Sequence, residues 1–246
     1  MKIKITDIDV FDELIKSVVK IVPDVKFVIS NENVQVKVIN GSQTIRAFFE
    51  SDCMTVDNDE VVEICFKDIL TLKKSVDLIK TVEDEDECEL DFDGSFISYK
   101  NDVKFKLKVV KPEIIEQYVT TDIKTKLKKV FSFDIESDDI KQVLQCANIV
   151  SDSDSKIYIS TNENGKVIAE VDDQTNRMSN SIGIPISDDL DGTIDKPVAL
   201  TIDNFQAINT LPSDDIVVRY TDKSVFDVKS SSDNIKLYMI ITTIKG

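Results

Sequence analysis

Two segments from opposite halves of the chain read almost alike. Lys26-Phe27-Val28-Ile29-Ser30-Asn31-Glu32-Asn33-Val34 is paralleled, with a one-residue insertion, by Lys156-Ile157-Tyr158-Ile159-Ser160-Thr161-Asn162-Glu163-Asn164-Gly165-Lys166-Val167. Each is an alternating apolar run that enters a polar turn and returns as a second run, the pattern of paired strands. A device used twice in similar surroundings points to two copies of one unit, and each copy must then build and cover its own core.

The surroundings follow the same order. In the first half, a strand around Lys2 to Ile8 leads to an amphipathic helix from about Asp9 to Val22, stopped by Pro23. Strands Val25–Ser30 and Val34–Ile39 come next, with Asn40-Gly41 as a hairpin signal, and then Thr44–Glu50 and Glu60–Phe66. A second helix over about Asp68 to Ile79 precedes strands through Glu89, Phe96 and Val103–Val109. In the second half, strand Val130–Glu136 runs into a helix with its N-cap near Ser137-Asp138-Asp139, extending to Val150. After the repeated turn, strand Val198–Ile202, a short helix Asp203–Thr210 stopped by Pro212, and strands through Val217, Val225 and Leu237–Thr243 complete the order. Between the halves, Lys111 to Asp122 and the lysines after it lose periodicity and read as a connector. The expected fold class is α+β, as tandem domains over residues 1–110 and 130–246 joined by a connector over 111–129.

Several chemistries are excluded. With 0 His, neither a Ser-His nor a Cys-His nucleophile nor any His-ligated metal site can be assembled. The 6 glycines are scattered, so neither a dinucleotide fingerprint nor a phosphate-cradling loop exists. No catalytic residue, metal site or cofactor is expected. The acidic run Glu83 to Glu87 reads as a solvated turn, and Asp188, Asp189, Asp191 and Gly192 as a loop without the EF-hand spacing. Cys53, Cys65, Cys88 and Cys146 lack metal or redox spacing and read as free thiols. A net charge of −16 repels polyanions and anionic membranes on average. No secretory leader and no membrane-spanning run is present, so an intracellular protein without a membrane partner is expected.

This tandem order, at this length, resembles the proliferating cell nuclear antigen and phage sliding-clamp family, over essentially the whole chain. Phe66 to Lys80 resembles the second helix of the first clamp domain. Phe131 to Val150, followed by Ile157 to Val171, resembles the opening of the second domain in T-even-type phage clamps. The resemblance implies a non-enzymatic DNA polymerase processivity factor: each domain packs two helices on antiparallel sheet, and three copies close into a ring around double-stranded DNA. It implies a DNA polymerase and a clamp-loader ATPase as partners, and for a phage protein the cytoplasm of a bacterial host. It also implies helices that line the hole with basic residues. Away from the apolar stripes, the helices carry Lys16 and Lys20, then Lys73, Lys74 and Lys80, then Lys141, while the last helix has Gln206 and Thr210 but no lysine. Further cations stand at Lys129, Arg177 and Lys223. The family's peptide-docking groove, by position, involves Ile114, Ile115, Tyr118 and Ile244. Two alternatives remain open on the residues: a non-ring viral polymerase accessory subunit that binds DNA directly, and a duplicated-domain scaffold without a DNA role.

Overall fold

The first strand, β1 (Lys2–Ile5), stops short of the expected Ile8 because Asp7 takes over as a cap. Its extended backbone and side-chain oxygen, which accepts from the Val10 N–H at 3.0 Å, start helix α1 (Ile8–Val19). The computed structural model describes residues 1–57, 61–115, 127–150, 155–172, 180–211, 213 and 215–244. Contacts divide the chain into two units, residues 1–119 with 233–237 and residues 120–232 with 238–246.

In the first unit β2 (Val25–Ile29), β3 (Val34–Ile39) and β4 (Ile45–Ser51) form an antiparallel meander. Burial alternates along it, so Val25, Phe27, Ile29, Val34, Val36 and Val38 enter the core. Between β4 and β6 (Val62–Phe66) lies β5 (Met54–Val56), three residues too short for a periodicity to register. Strand β6 adds to the far side of β2, giving the run β4-β3-β2-β6. Helix α2 (Ile69–Glu83) is capped by Asp68 and ends at Asp84, whose φ of 57° lies in the left-handed region. It runs a full turn beyond the expected Ile79 and takes in Glu83. A second sheet, β5-β1-β7-β8-β9, adds β7 (Cys88–Phe92), β8 (Phe96–Lys100) and β9 (Lys104–Lys108). The helices bury Phe11, Leu14, Ile15 and Val18 from α1 and Ile69, Leu72, Val76 and Ile79 from α2, with Phe27 between the rings of Phe11 and Phe66. Each such side chain removed from water contributes about 1.5–3 kcal/mol.

The second unit repeats the first. Strand β10 (Lys129–Ile135) leads to α3 (Ser137–Val150), whose Ser137 hydroxyl donates to the Ser213 carbonyl and accepts from the Ser213 N–H. Then come β11 (Lys156–Thr161), β12 (Val167–Asp172), β13 (Ile182–Ser187), β14 (Leu190–Gly192), β15 (Val198–Thr201), α4 (Ile202–Ala207), β16 (Ile216–Thr221), β17 (Val225–Ser231) and β18 (Ile235–Thr242). The runs β13-β12-β11-β15 and β14-β10-β16-β17-β18 correspond strand for strand to β4-β3-β2-β6 and β5-β1-β7-β8-β9. The loop expected at Asp188 to Gly192 is corrected in part: Leu190–Gly192 is a strand, because Phe131 and Phe133 of β10 pair with it. The twin turns are built by different side chains. Ser30 Oγ accepts from the Glu32 and Asn33 N–H groups, and Asn162 Oδ1 accepts from Asn164 and Lys166.

Candidate nucleic-acid interface and partner groove

In each unit the two helices pack against each other, and the expected DNA-facing lysines stand on α1, α2 and α3. In the first unit most of them are occupied. Lys16 pairs with Asp12, one turn back on α1. Lys73 of α2 reaches across to Asp12 at 2.6 Å and also holds Asp77 at 2.7 Å, with only 17% of its side chain exposed. Lys80 bridges Asp9 at 2.5 Å and Asp86 at 3.7 Å. Partial burial pushes the Asp12 carboxyl up, but the Lys16 and Lys73 ammonium groups outweigh that and hold it below the usual carboxylate range. The same pairings raise Lys73, chiefly through Asp12, and Lys80, chiefly through Asp9.

Three lysines in this network thus face the four carboxylates of Asp9, Asp12, Asp77 and Asp86, so it presents no net positive charge. Lys74 differs: it is exposed and makes no ion pair among the described residues. It sits in an outward ridge with Leu70, Leu78 and Val82 at four-residue spacing, all exposed, so this side of α2 is apolar with a single cation. Lys20 caps the C-terminus of α1 and is exposed. In the second unit Lys141 pairs with Asp138 at 2.8 Å, and the remaining outward positions of α3 are Gln142, Gln145, Asn148 and Ile149. Of the further cations, Lys129 pairs with Asp191. Arg177 lies outside the described residues, as do Tyr118 and Pro212.

The acidic run after α2 is more than a solvated turn at its first residue. Glu83 accepts from the Tyr99 hydroxyl at 2.5 Å, Asn101 Nδ2 at 3.1 Å and the Val103 N–H at 2.7 Å, tying the end of α2 to the β8–β9 hairpin. These donors, Tyr99 first, hold its carboxyl below the usual range. Desolvation and the Glu83 charge push the Tyr99 phenol up to about 12. No cluster suited to a metal ion occurs among the described residues.

The connector opens with a 3₁₀ turn, Pro112–Ile114. Its two isoleucines part company: Ile114 is 51% exposed, and Ile115 is buried. Ile115 forms a wall of a cavity of ≈ 240 Å³, shared with Ile21, Pro23, Val38, Ile39 and Gln43. In the second unit, Ile244 forms an antiparallel bridge to Ala199 at the margin of β15. The cavity wall from α1's exit and the β3–β4 turn was invisible to sequence reasoning, because those residues meet only through the antiparallel return of β2 against β3.

No protein-family model matches the sequence, and no curated protein does. Solved structures do. The PCNA of A. fulgidus, bound to the C-terminal region of FEN-1, matches 100% of this chain and 99% of its own, with a TM-score of 0.73 at 14% identity. The PCNA of Thermococcus kodakaraensis covers 99% of both chains at a TM-score of 0.72 and 17% identity. The Proliferating Cellular Nuclear Antigen of Entamoeba histolytica matches 99% of this chain and 98% of its own at 0.71 and 12%. The chain therefore has the two-domain α+β fold of the PCNA sliding clamps. Among the described residues no helix is long and apolar enough to cross a membrane.

Proposed function

We propose that this protein is a DNA polymerase processivity factor: a non-enzymatic clamp, three copies of which close head to tail around duplex DNA and tether a polymerase to it. The observation that carries this reading is the likeness to PCNA over 99% or more of the chain, in both units and at TM-scores of 0.71–0.73. In this reading residues 1–110 and 130–246 are the two clamp domains and 111–129 the connector. The ring holds DNA by topology, which suits a chain of net charge −16 whose helices carry little uncompensated positive charge. Phosphate attraction in the hole is nonspecific and compatible with sliding. A clamp-loader ATPase opens the ring, since nothing in the sequence supplies nucleotide chemistry. The protein then works inside a cell, and inside a bacterium if a phage encodes it.

Among the six candidate lysines, Lys74, exposed and without an ion pair among the described residues, is assigned to DNA first, and Lys20 follows by its exposure at the end of α1. Lys80 and Lys141 can reach phosphates by exchanging exposed aspartate partners, Lys16 can do so by leaving the half-buried Asp12, and Lys73 is the most enclosed. A partner peptide is assigned to the connector, with the exposed Ile114 as its apolar contact beside the cavity walled by Ile115; Tyr118 and Ile244 are assigned to the same role by sequence position alone. The test is retention on DNA in the presence of polymerase, loader and ATP. A clamp remains bound to closed circular templates through a high-salt wash and runs off linear ones. Equal loss from both would overturn the reading. Salt-sensitive binding to both without a loader would favour a non-ring accessory subunit.

A further inference from the structure

The sheet β5-β1-β7-β8-β9 turns one face to the core and the other to water. Ile3, Ile5, Leu90 and Ile97 are buried on the inner face. On the opposite face the register aligns Lys2 with Asp91, Asp91 with Ser98, and Ser98 with Lys106. Over β1 and β7 the charges of this face cancel: Lys2 is bridged to Glu89 and Asp91, and Lys4 to Glu87. Over β8 and β9 they do not. Lys100 lies opposite Lys104, Ser98 opposite Lys106 and Phe96 opposite Lys108. Lys100, Lys104, Lys106 and Lys108 therefore share the face, all exposed and none in an ion pair among the described residues.

Like charges directly opposite each other in a ladder destabilise it, so Lys100 and Lys104 work against their own hairpin. Compensation on the hairpin is slight. Asp93 feels Lys106, but its carboxyl is held first by the Ser95 and Phe96 N–H groups, at 2.9 and 2.7 Å. From Phe96 to Lys111 five lysines stand against the single Asp102, a net +4 within a chain of −16. An anion from outside would relieve this repulsion, and the geometry narrows its kind. Lys104, Lys106 and Lys108 occupy alternate residues of one strand, ~6.8 Å apart. They form a regular row of point charges, without the guanidinium fork that matches a carboxylate. A peptide partner would want an apolar anchor, but the aromatic ring of this face, Phe96, is already covered by Lys106, 4.0 Å from its centroid. Evenly repeated charge without an anchor suits a phosphate backbone. A flexible single strand can follow the row, whereas a duplex, stiff over about 150 bp, meets a sheet face along a shorter stretch.

We propose that the solvent face of the β8–β9 hairpin binds the phosphate backbone of single-stranded nucleic acid, through Lys100, Lys104, Lys106 and Lys108 and not through the helix lysines. The contact is weak by itself, since nonspecific phosphate binding reaches only about 10⁻⁴ to 10⁻⁶ M at physiological salt. Its use rests on the clamp reading: a single strand adjoining the encircled duplex is presented at an effective concentration near millimolar. The hairpin then guides that strand without holding it.

The test is fluorescence anisotropy of a labelled oligothymidylate, and of a duplex of the same length, titrated with the full-length protein without a loader at roughly 0.05 and 0.2 M salt. Wild type is compared with Lys104→Gln/Lys106→Gln/Lys108→Gln and with Lys2→Gln/Lys4→Gln, whose lysines share the face but are already paired. Circular dichroism establishes that each variant is folded. Four phosphate contacts give the wild type a salt slope of about −2.8, a ~50-fold loss of single-strand affinity between the two salts, against ~3-fold in the triple variant. At low salt the triple variant binds at least about tenfold more weakly, and the double variant binds like wild type. Equal binding by wild type and triple variant overturns the proposal, as does duplex binding as tight as single-strand binding through the same lysines. So does polyglutamate bound more tightly than the oligothymidylate, which would assign the hairpin to an acidic peptide. Single-strand binding lost only in the triple variant, in a protein never retained on circular duplex, contradicts the clamp reading and leaves this surface standing.

Discussion

Replacing Lys73 by Met removes the ammonium group that joins α1 to α2 while keeping most of the stem's packing. Asp12 then keeps only Lys16, and its Oδ1, a buried atom with no other hydrogen-bond partner, loses its one cation. With the Lys73 and Asp12 side chains 17% and 20% exposed, the pair is neither a screened surface bridge nor a fully buried one. The expected loss lies near the charged hydrogen-bond range, about 2 kcal/mol. For a unit of this size that lowers the melting temperature by roughly 6–10 °C. Lys74→Met, next in sequence but exposed and without an ion pair, changes stability by under about 0.5 kcal/mol. The order reverses for DNA. In a three-copy ring, Lys74→Met removes up to three phosphate contacts and flattens the salt dependence of log K by up to about 2.7, whereas Lys73→Met leaves it nearly unchanged below its melting temperature. Thermal unfolding followed by circular dichroism, with DNA retention against salt, measures both. The pH dependence has a definite sign. Because the folded Asp12 carboxyl sits below its ordinary value of 3.8, the network's stabilisation is complete at neutral pH and is lost as pH falls through the folded value. The gap between Lys73→Met and wild type therefore narrows below about pH 4. A Lys73→Met protein as stable as wild type that also loses DNA retention would show that the ammonium group serves DNA as a pore cation and not the joining of α1 to α2.

Gly192→Ala is expected to destabilise the second unit by roughly 2 kcal/mol or more, read from denaturant unfolding, because φ is +113° and a Cβ would lie 2.5 Å from the Val130 carbonyl oxygen. Glu83→Ala should speed hydrogen exchange in the β8–β9 hairpin by removing the acceptor shared by Tyr99, Asn101 and Val103, with exchange in β2 and β3 unchanged. The Glu83 contribution is present above its ordinary value of 4.5 and disappears as pH falls through the lowered folded one. Among the thiols, burial pushes Cys53 and Cys88 up to about 12 and Cys65 to about 11, so alkylation at pH 8 followed by peptide mapping should label the half-exposed Cys146 first.

The repeat was legible because β2, β3, β11 and β12 are half-buried strands whose alternation survives in the residues themselves. Helices α1 to α3 were equally plain, since their apolar stripes are also their buried faces. What failed to register is held by tertiary partners. Strand β14 exists through its pairing with β10, β5 through its pairing with β1, and the last turn of α2 through the donors around Glu83. Strand β13 contains Gly183 and Pro185, which read as breakers, yet an edge tolerates both. The helix lysines lie outside the buried apolar stripes, but the cross-helix pairs Lys73–Asp12 and Lys80–Asp9 depend on how α1 packs on α2, which no spacing within either helix encodes.

Closing a ring requires self-association, which the mass of the protein in solution reads. Light scattering across a concentration series should rise toward three times the 27.7 kDa chain. A strict monomer at the highest concentration would contradict the clamp and leave a duplicated fold without a ring.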